Sequence, residues 1–100
     1  RLRFLHMHGR IATTSEFREL LSSSDLLVIT DYPHKTACLH LDPSGCSHVQ
    51  ERSFEKKVVK NKEANGQYFR VADESAARAR WRDLKLCSSA ACGAAMRGRR

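Results

Sequence analysis

Thr36-Ala37-Cys38-Leu39-His40-Leu41-Asp42-Pro43-Ser44-Gly45-Cys46 decides how this 100-residue chain is read. Thr36 to Leu41 is a short β-prone run that predicts a strand. Asp42-Pro43-Ser44-Gly45 is a strong turn signal, with proline and glycine where a turn uses them. Cys38, His40, Cys46 and His48 bracket that turn, so four potential soft or borderline ligands gather around one bend.

Upstream, Leu26-Leu27-Val28-Ile29-Thr30 reads as a buried strand that Asp31-Tyr32-Pro33 ends, because proline donates no ladder hydrogen bond and restricts its predecessor. Thr13 followed by Glu16 fits a capping box. Phe17, Leu20 and Leu21 then supply an apolar stripe, predicting a helix that the Ser22-Ser23-Ser24-Asp25 cluster stops. Phe4-Leu5-His6-Met7-His8 has the makings of a short strand or of a lead without structure.

Downstream, Phe54 to Val59 and Gln67 to Ala72 read as two more strands, joined across Asn61–Gly66 with Asn65-Gly66 at the hairpin turn. Asp73 is an N-cap with Glu74 in the first turn, predicting a helix through about Lys85 or Leu86. Ala77, Trp81 and Leu84 would pack that helix on the sheet. The order α-β-β-loop-β-β-α predicts an α+β fold: a small antiparallel sheet with an N-terminal and a C-terminal helix. Residues 1–12 are taken as a lead segment, 13–92 as a single α+β domain and 93–100 as a basic flexible tail.

One hundred residues make one small domain, with 41% apolar and 29% charged side chains in the globular range. The longest purely apolar run, Leu26–Ile29, is far short of a membrane span. No secretory signal is visible. The chain begins at Arg1, which reads as a fragment or a processed piece. A reduced, cytoplasmic setting is expected, with no membrane partner.

The net charge of +7 is unevenly distributed: residues 1–50 carry five basic and five acidic side chains, residues 51–100 thirteen and six. Such asymmetry favours an anionic partner, nucleic acid above all, although a solvated basic face also fits. The candidate contacts are Lys56, Lys57, Lys60 and Arg70 on the predicted hairpin, with Tyr68 as its exposed ring for base stacking. Arg78, Arg82 and Lys85 form a stripe on the predicted helix, and Arg97–Arg100 follow in the tail.

Four cysteines require an account: zinc ligands, unpaired core thiols or disulfides. A small domain with a thin core gains most from a metal staple, and a reduced setting favours it over disulfides. The candidate zinc ligands are His40, Cys46, Cys87 and Cys92, which would join the turn to the end of the last helix across more than forty residues. Cys38 and His48 compete with His40 for its place. His6, His8 and His34 are read as surface residues.

The succession His40, Pro43, Cys46, a hairpin, Glu74-Ser75-Ala76-Ala77, a helix and Cys87…Cys92 resembles the small zinc-binding module of Ada-type DNA repair proteins, also appended to some nucleases. The likeness covers residues 36–92 and departs from the family in spacing, with four residues between the last cysteines where two are usual. It implies a DNA-binding accessory domain of a repair, restriction or nuclease protein, without implying methyl transfer to a zinc-bound thiolate. No glycine-rich phosphate loop or HExxH pair supports an enzyme in this chain alone. The alternative is a protein-interaction domain, or a secreted disulfide-stapled one.

Overall fold

The computed structural model describes residues 9–98. The lead residues 1–8, with His6 and His8, and the last two arginines of the tail lie outside them. The fold is α+β: a five-stranded sheet in the order β1-β4-β2-β3-β5 with helices on both faces. Its strands are β1 (Gly9–Ile11), β2 (Leu26–Asp31), β3 (Thr36–His40), β4 (Tyr68–Val71) and β5 (Leu84–Leu86). β1 with β4, β4 with β2 and β2 with β3 pair antiparallel, whereas β3 and β5 pair parallel, which makes the sheet mixed.

Helix α1 (Thr14–Leu21) starts as its capping box requires. Thr13 Oγ1 accepts the Glu16 amide, and Glu16 accepts the Thr13 amide. Helix α2 (Glu51–Phe54) continues as a π-helix (Glu55–Lys60), where sequence reading expects a strand. Phe54 and Val58 are buried at a spacing of four while Val59 is 49% exposed, so a helical period, not alternation, is obeyed. The Asn61–Gly66 segment therefore joins a helix to β4 and is not a hairpin. Gly66 is required there, because a Cβ would stand 2.0 Å from the Thr30 carbonyl oxygen.

Asp73 caps helix α3 (Glu74–Arg80) by accepting the Ala76 amide. The helix ends earlier than its sequence suggests, since Trp81 turns extended and Leu84–Leu86 pair with β3 instead. Helix α4 (Ala90–Gly98) is built on alanines, the strongest helix formers.

Strand alternation divides the core. On one face Leu27 and Tyr68 pack with Phe17 and Leu20 of α1 and with Phe54 and Val58. The Phe17 and Phe54 rings stack at 4.8 Å, and Tyr68 meets Phe54 edge-on at 5.1 Å. On the other face Val28, Leu39, Phe69 and Leu84 pack with Ala77 of α3 and with Trp81. Each large side chain so buried contributes about 1.5–3 kcal/mol. The two edges of β3 are thereby covered, one by β2 and one by β5. The consequence for the site is that β3 and β5 run side by side and end together.

Candidate metal centre

Four side chains meet where β3 and β5 end. His40 closes β3, and Cys87 follows β5 with its amide donating to the Leu39 carbonyl at 2.9 Å, one step beyond the ladder. The Asp42–Gly45 turn brings Cys46 back to His40. The turn is tight: a Cβ at Gly45 would stand 2.6 Å from Asp42 Oδ2, the carboxylate that accepts the Gly45 amide through its other oxygen. Cys92 enters from the first turn of α4, its amide donating to Ser89 Oγ at 3.3 Å.

The ligand atoms of His40, Cys46, Cys87 and Cys92 all lie within 4.8 Å of one another, and all four residues are buried. Cys46 Sγ stands 3.7 Å from Cys87 Sγ and 3.6 Å from His40 Nδ1. With zinc–sulfur bonds of about 2.3 Å and zinc–nitrogen bonds of about 2.0 Å, the edges of a tetrahedron are about 3.8 Å and 3.5 Å. These two separations match those edges, and every other pair of the four lies within 4.8 Å. They are far longer than the ~2.05 Å of a disulfide, and the sulfurs are free. The donor set fits a four-coordinate metal.

The surrounding hydrogen bonds favour thiolate. The His48 amide donates to Cys46 Sγ and the Ser89 amide to Cys87 Sγ, each at 3.4 Å, and Ser89 Oγ lies 3.1 Å from Cys46 Sγ. Burial pushes the Cys87 thiol up, but the Ser89 hydroxyl and amide, His48 and Cys46 outweigh it and bring it down to about 7. Burial, helped by His48, holds His40 neutral with its pKa lowered to about 4, the state a metal ligand needs.

The two competitors border the four but are less buried. Cys38 faces the same side of β3 as His40 but is half-buried, and burial pushes its thiol up to about 11, so it stays protonated. His48 is exposed at the rim, its Nδ1 3.6 Å from Cys87 Sγ.

The basic residues fare less uniformly. Tyr68 is 2% exposed and its hydroxyl is pushed up to about 12 by burial, so it is a core ring and not a stacking platform. Arg70 is drawn into the protein, donating to Asp25 at 2.6 Å with Glu19 at 3.8 Å. Lys57 donates to the Thr30 carbonyl at 3.1 Å, and Arg78 pairs with Glu74 at 2.8 Å. Arg78, Arg82 and Lys85 do not form one stripe, because α3 ends at Arg80. Lys56, Lys60, Arg82 and Lys85 are exposed, as is Arg52, which sequence reading passed over. Among the described residues, no helix is long and apolar enough to cross a membrane.

Comparison with protein-family models, curated proteins and solved structures gives no match.

Proposed function

We propose that the chain is a zinc-clasped module that binds nucleic acid through its phosphates, DNA ahead of RNA, as an accessory part of a repair, restriction or nuclease protein. His40, Cys46, Cys87 and Cys92 hold the ion, which supplies a structural cross-link between two distant parts of the chain. The Ada-type resemblance of residues 36–92 is what directs the reading to DNA.

The observation that carries the polyanion half is a row of free cations. Arg52, Lys56 and Lys60 recur every fourth residue along α2 and its π-helical continuation, exposed and without a carboxylate partner among the described residues. Other cations are neutralised within the chain, as at Arg18–Glu51, Arg70–Asp25 and Arg78–Glu74. A row left unpaired offers counterion release to a phosphate backbone.

The clasp governs this row through a short path. The Cys46 carbonyl accepts the Val49 amide at 3.1 Å, Val49 is buried, and α2 begins two residues later without a side-chain cap. The knuckle thus sets the helix that bears the cations.

Titration of a DNA duplex at several salt concentrations tests the reading. Lys56→Ala and Lys60→Ala each weaken binding to all sequences alike and lower the salt slope by about one unit. Binding indifferent to salt, or unaffected by both substitutions, contradicts it.

A further inference from the structure

The strands that carry the clasp at one end open a second feature at the other. The start of β3, the start of β5 and the end of β2 surround a cleft of about 320 Å³. We propose that this cleft binds a single nucleotide, its base against Tyr32 and Trp81 and its phosphate on Lys35 and Arg82.

The rings are held in place before any ligand arrives. Tyr32 is 46% exposed, yet its hydroxyl donates to Gln67 Oε1 and its amide to the Asn65 carbonyl at 2.9 Å. Trp81 is packed on Phe69 with centroids 5.0 Å apart, and the Arg80 guanidinium lies 4.8 Å from the Trp81 ring centre. Pinned rings lose little freedom when a base stacks on them.

The polar groups are of the kinds a nucleotide uses. Lys35 and Arg82 are exposed and have no carboxylate partner among the described residues, so both are available to a phosphate. Asp31 is occupied by His34 at 3.0 Å, whereas Asp83 has no such partner among the described residues and can accept from a base amino group. Three cations lining the cleft disfavour a cationic guest. A volume near the lower end of ligand pockets suits a guest the size of one nucleotide.

Lys35 stands on strained backbone at the rim of the cleft. It has φ +52, the left-handed region, at a turn where its amide donates to the Tyr32 carbonyl at 3.1 Å. Glycine or asparagine would fit that backbone with less strain.

The nucleotide is either free or an unpaired residue of a strand. The second source rests on the proposed function. It is within reach, because Tyr32 bonds Asn65 and Lys57 bonds the Thr30 carbonyl, which places the cleft beside the C-terminal end of the basic helix.

Trp81 is the sole tryptophan of the chain, so its indole N–H gives one assignable resonance. Titration of the metal-loaded chain with dGMP or dAMP moves that resonance, whereas deoxyribose 5-phosphate leaves it in place. Tyr32→Ala weakens the nucleotide about tenfold, and Arg82→Gln removes the preference for nucleotide over nucleoside. A single-stranded oligonucleotide acting at lower concentration than the mononucleotide assigns the site to a strand; equal concentrations assign it to free nucleotide. An indole unmoved by about 10 mM nucleotide, or moved equally by the sugar phosphate, overturns the proposal. Duplex binding with its salt slope intact would then leave the phosphate reading standing. Nucleotide binding without any duplex or strand binding would do the reverse.

Discussion

The two ends of the β3–β5 pair are built on opposite plans. At the C-terminal ends four donors converge in a buried pocket, with backbone amides and a serine hydroxyl turned toward the sulfurs. At the N-terminal ends the side chains diverge around an open cleft, with an exposed Tyr32 and a lysine in left-handed backbone. One end is arranged to hold the fold together, and the other carries a strained lysine and an exposed tyrosine. Stability should therefore be concentrated at the first, and substitutions at the second should change binding more than folding.

The largest effect is expected from Cys87→Ala. Structural zinc sites contribute about 10–16 kcal/mol, as much as the whole stability of a small domain at about 5–15 kcal/mol. The substituted chain should lose its cooperative thermal transition by circular dichroism, and an unchanged melting curve would break the contrast. Next is Phe54→Ala, on the face that α2 shares with the clasp. Removing a fully buried ring stacked on Phe17 should cost about 3–5 kcal/mol in urea unfolding. Tyr32→Ala should cost under about 0.5 kcal/mol.

Acidification sharpens the comparison further. Folded His40 has its pKa lowered to about 4, against about 6.5 when unfolded, so between these values the unfolded state binds the extra proton. The stability it contributes is present above about pH 6.5 and is lost as the pH falls toward 4. The loss is at most about 1.4 kcal/mol per pH unit from this group, and protons competing for the metal thiolates steepen it. The urea midpoint measured from pH 7.5 to 5 reads this directly. His40→Asn, if it still folds, should flatten the profile. Lys35→Gly has a small effect of the opposite sign. Relief of the left-handed lysine should raise stability by about 0.5–1 kcal/mol while weakening nucleotide binding, a gain in one property at the expense of the other.

The same contrast explains what could be read from the sequence. The caps at Thr13 and Asp73 are local chemistry, written within four residues, and both form. The strands Leu26–Asp31, Thr36–His40 and Tyr68–Val71 follow from continuous β-prone runs. The donors His40, Cys46, Cys87 and Cys92 were legible because few residue types ligate soft metals and one turn gathers two of them. Phe54–Val59 was not, since an apolar pair at a spacing of four inside a short run fits strand and helix alike until packing on Phe17 decides. Nor was β5, whose three residues carry no stop signal and become a strand only by pairing with β3. Tyr68 and Arg70 were misplaced for a related reason: the partners that draw them inward, Phe17, Phe54 and Asp25, are distant in sequence. The cleft was hidden because Tyr32-Pro33 reads as a strand breaker and Trp81 as a packing residue, which it also is.

The claim on which all of this depends is that one metal ion joins the Asp42–Gly45 turn to the end of β5. Metal analysis of the chain purified under reducing conditions, coupled to thiol titration before and after a chelator, tests it most directly. One zinc per chain is expected, with at most the half-buried Cys38 titrating at first and all four thiols after the ion is removed. A chain free of metal, folded, and with its four thiols unchanged by chelator would contradict it.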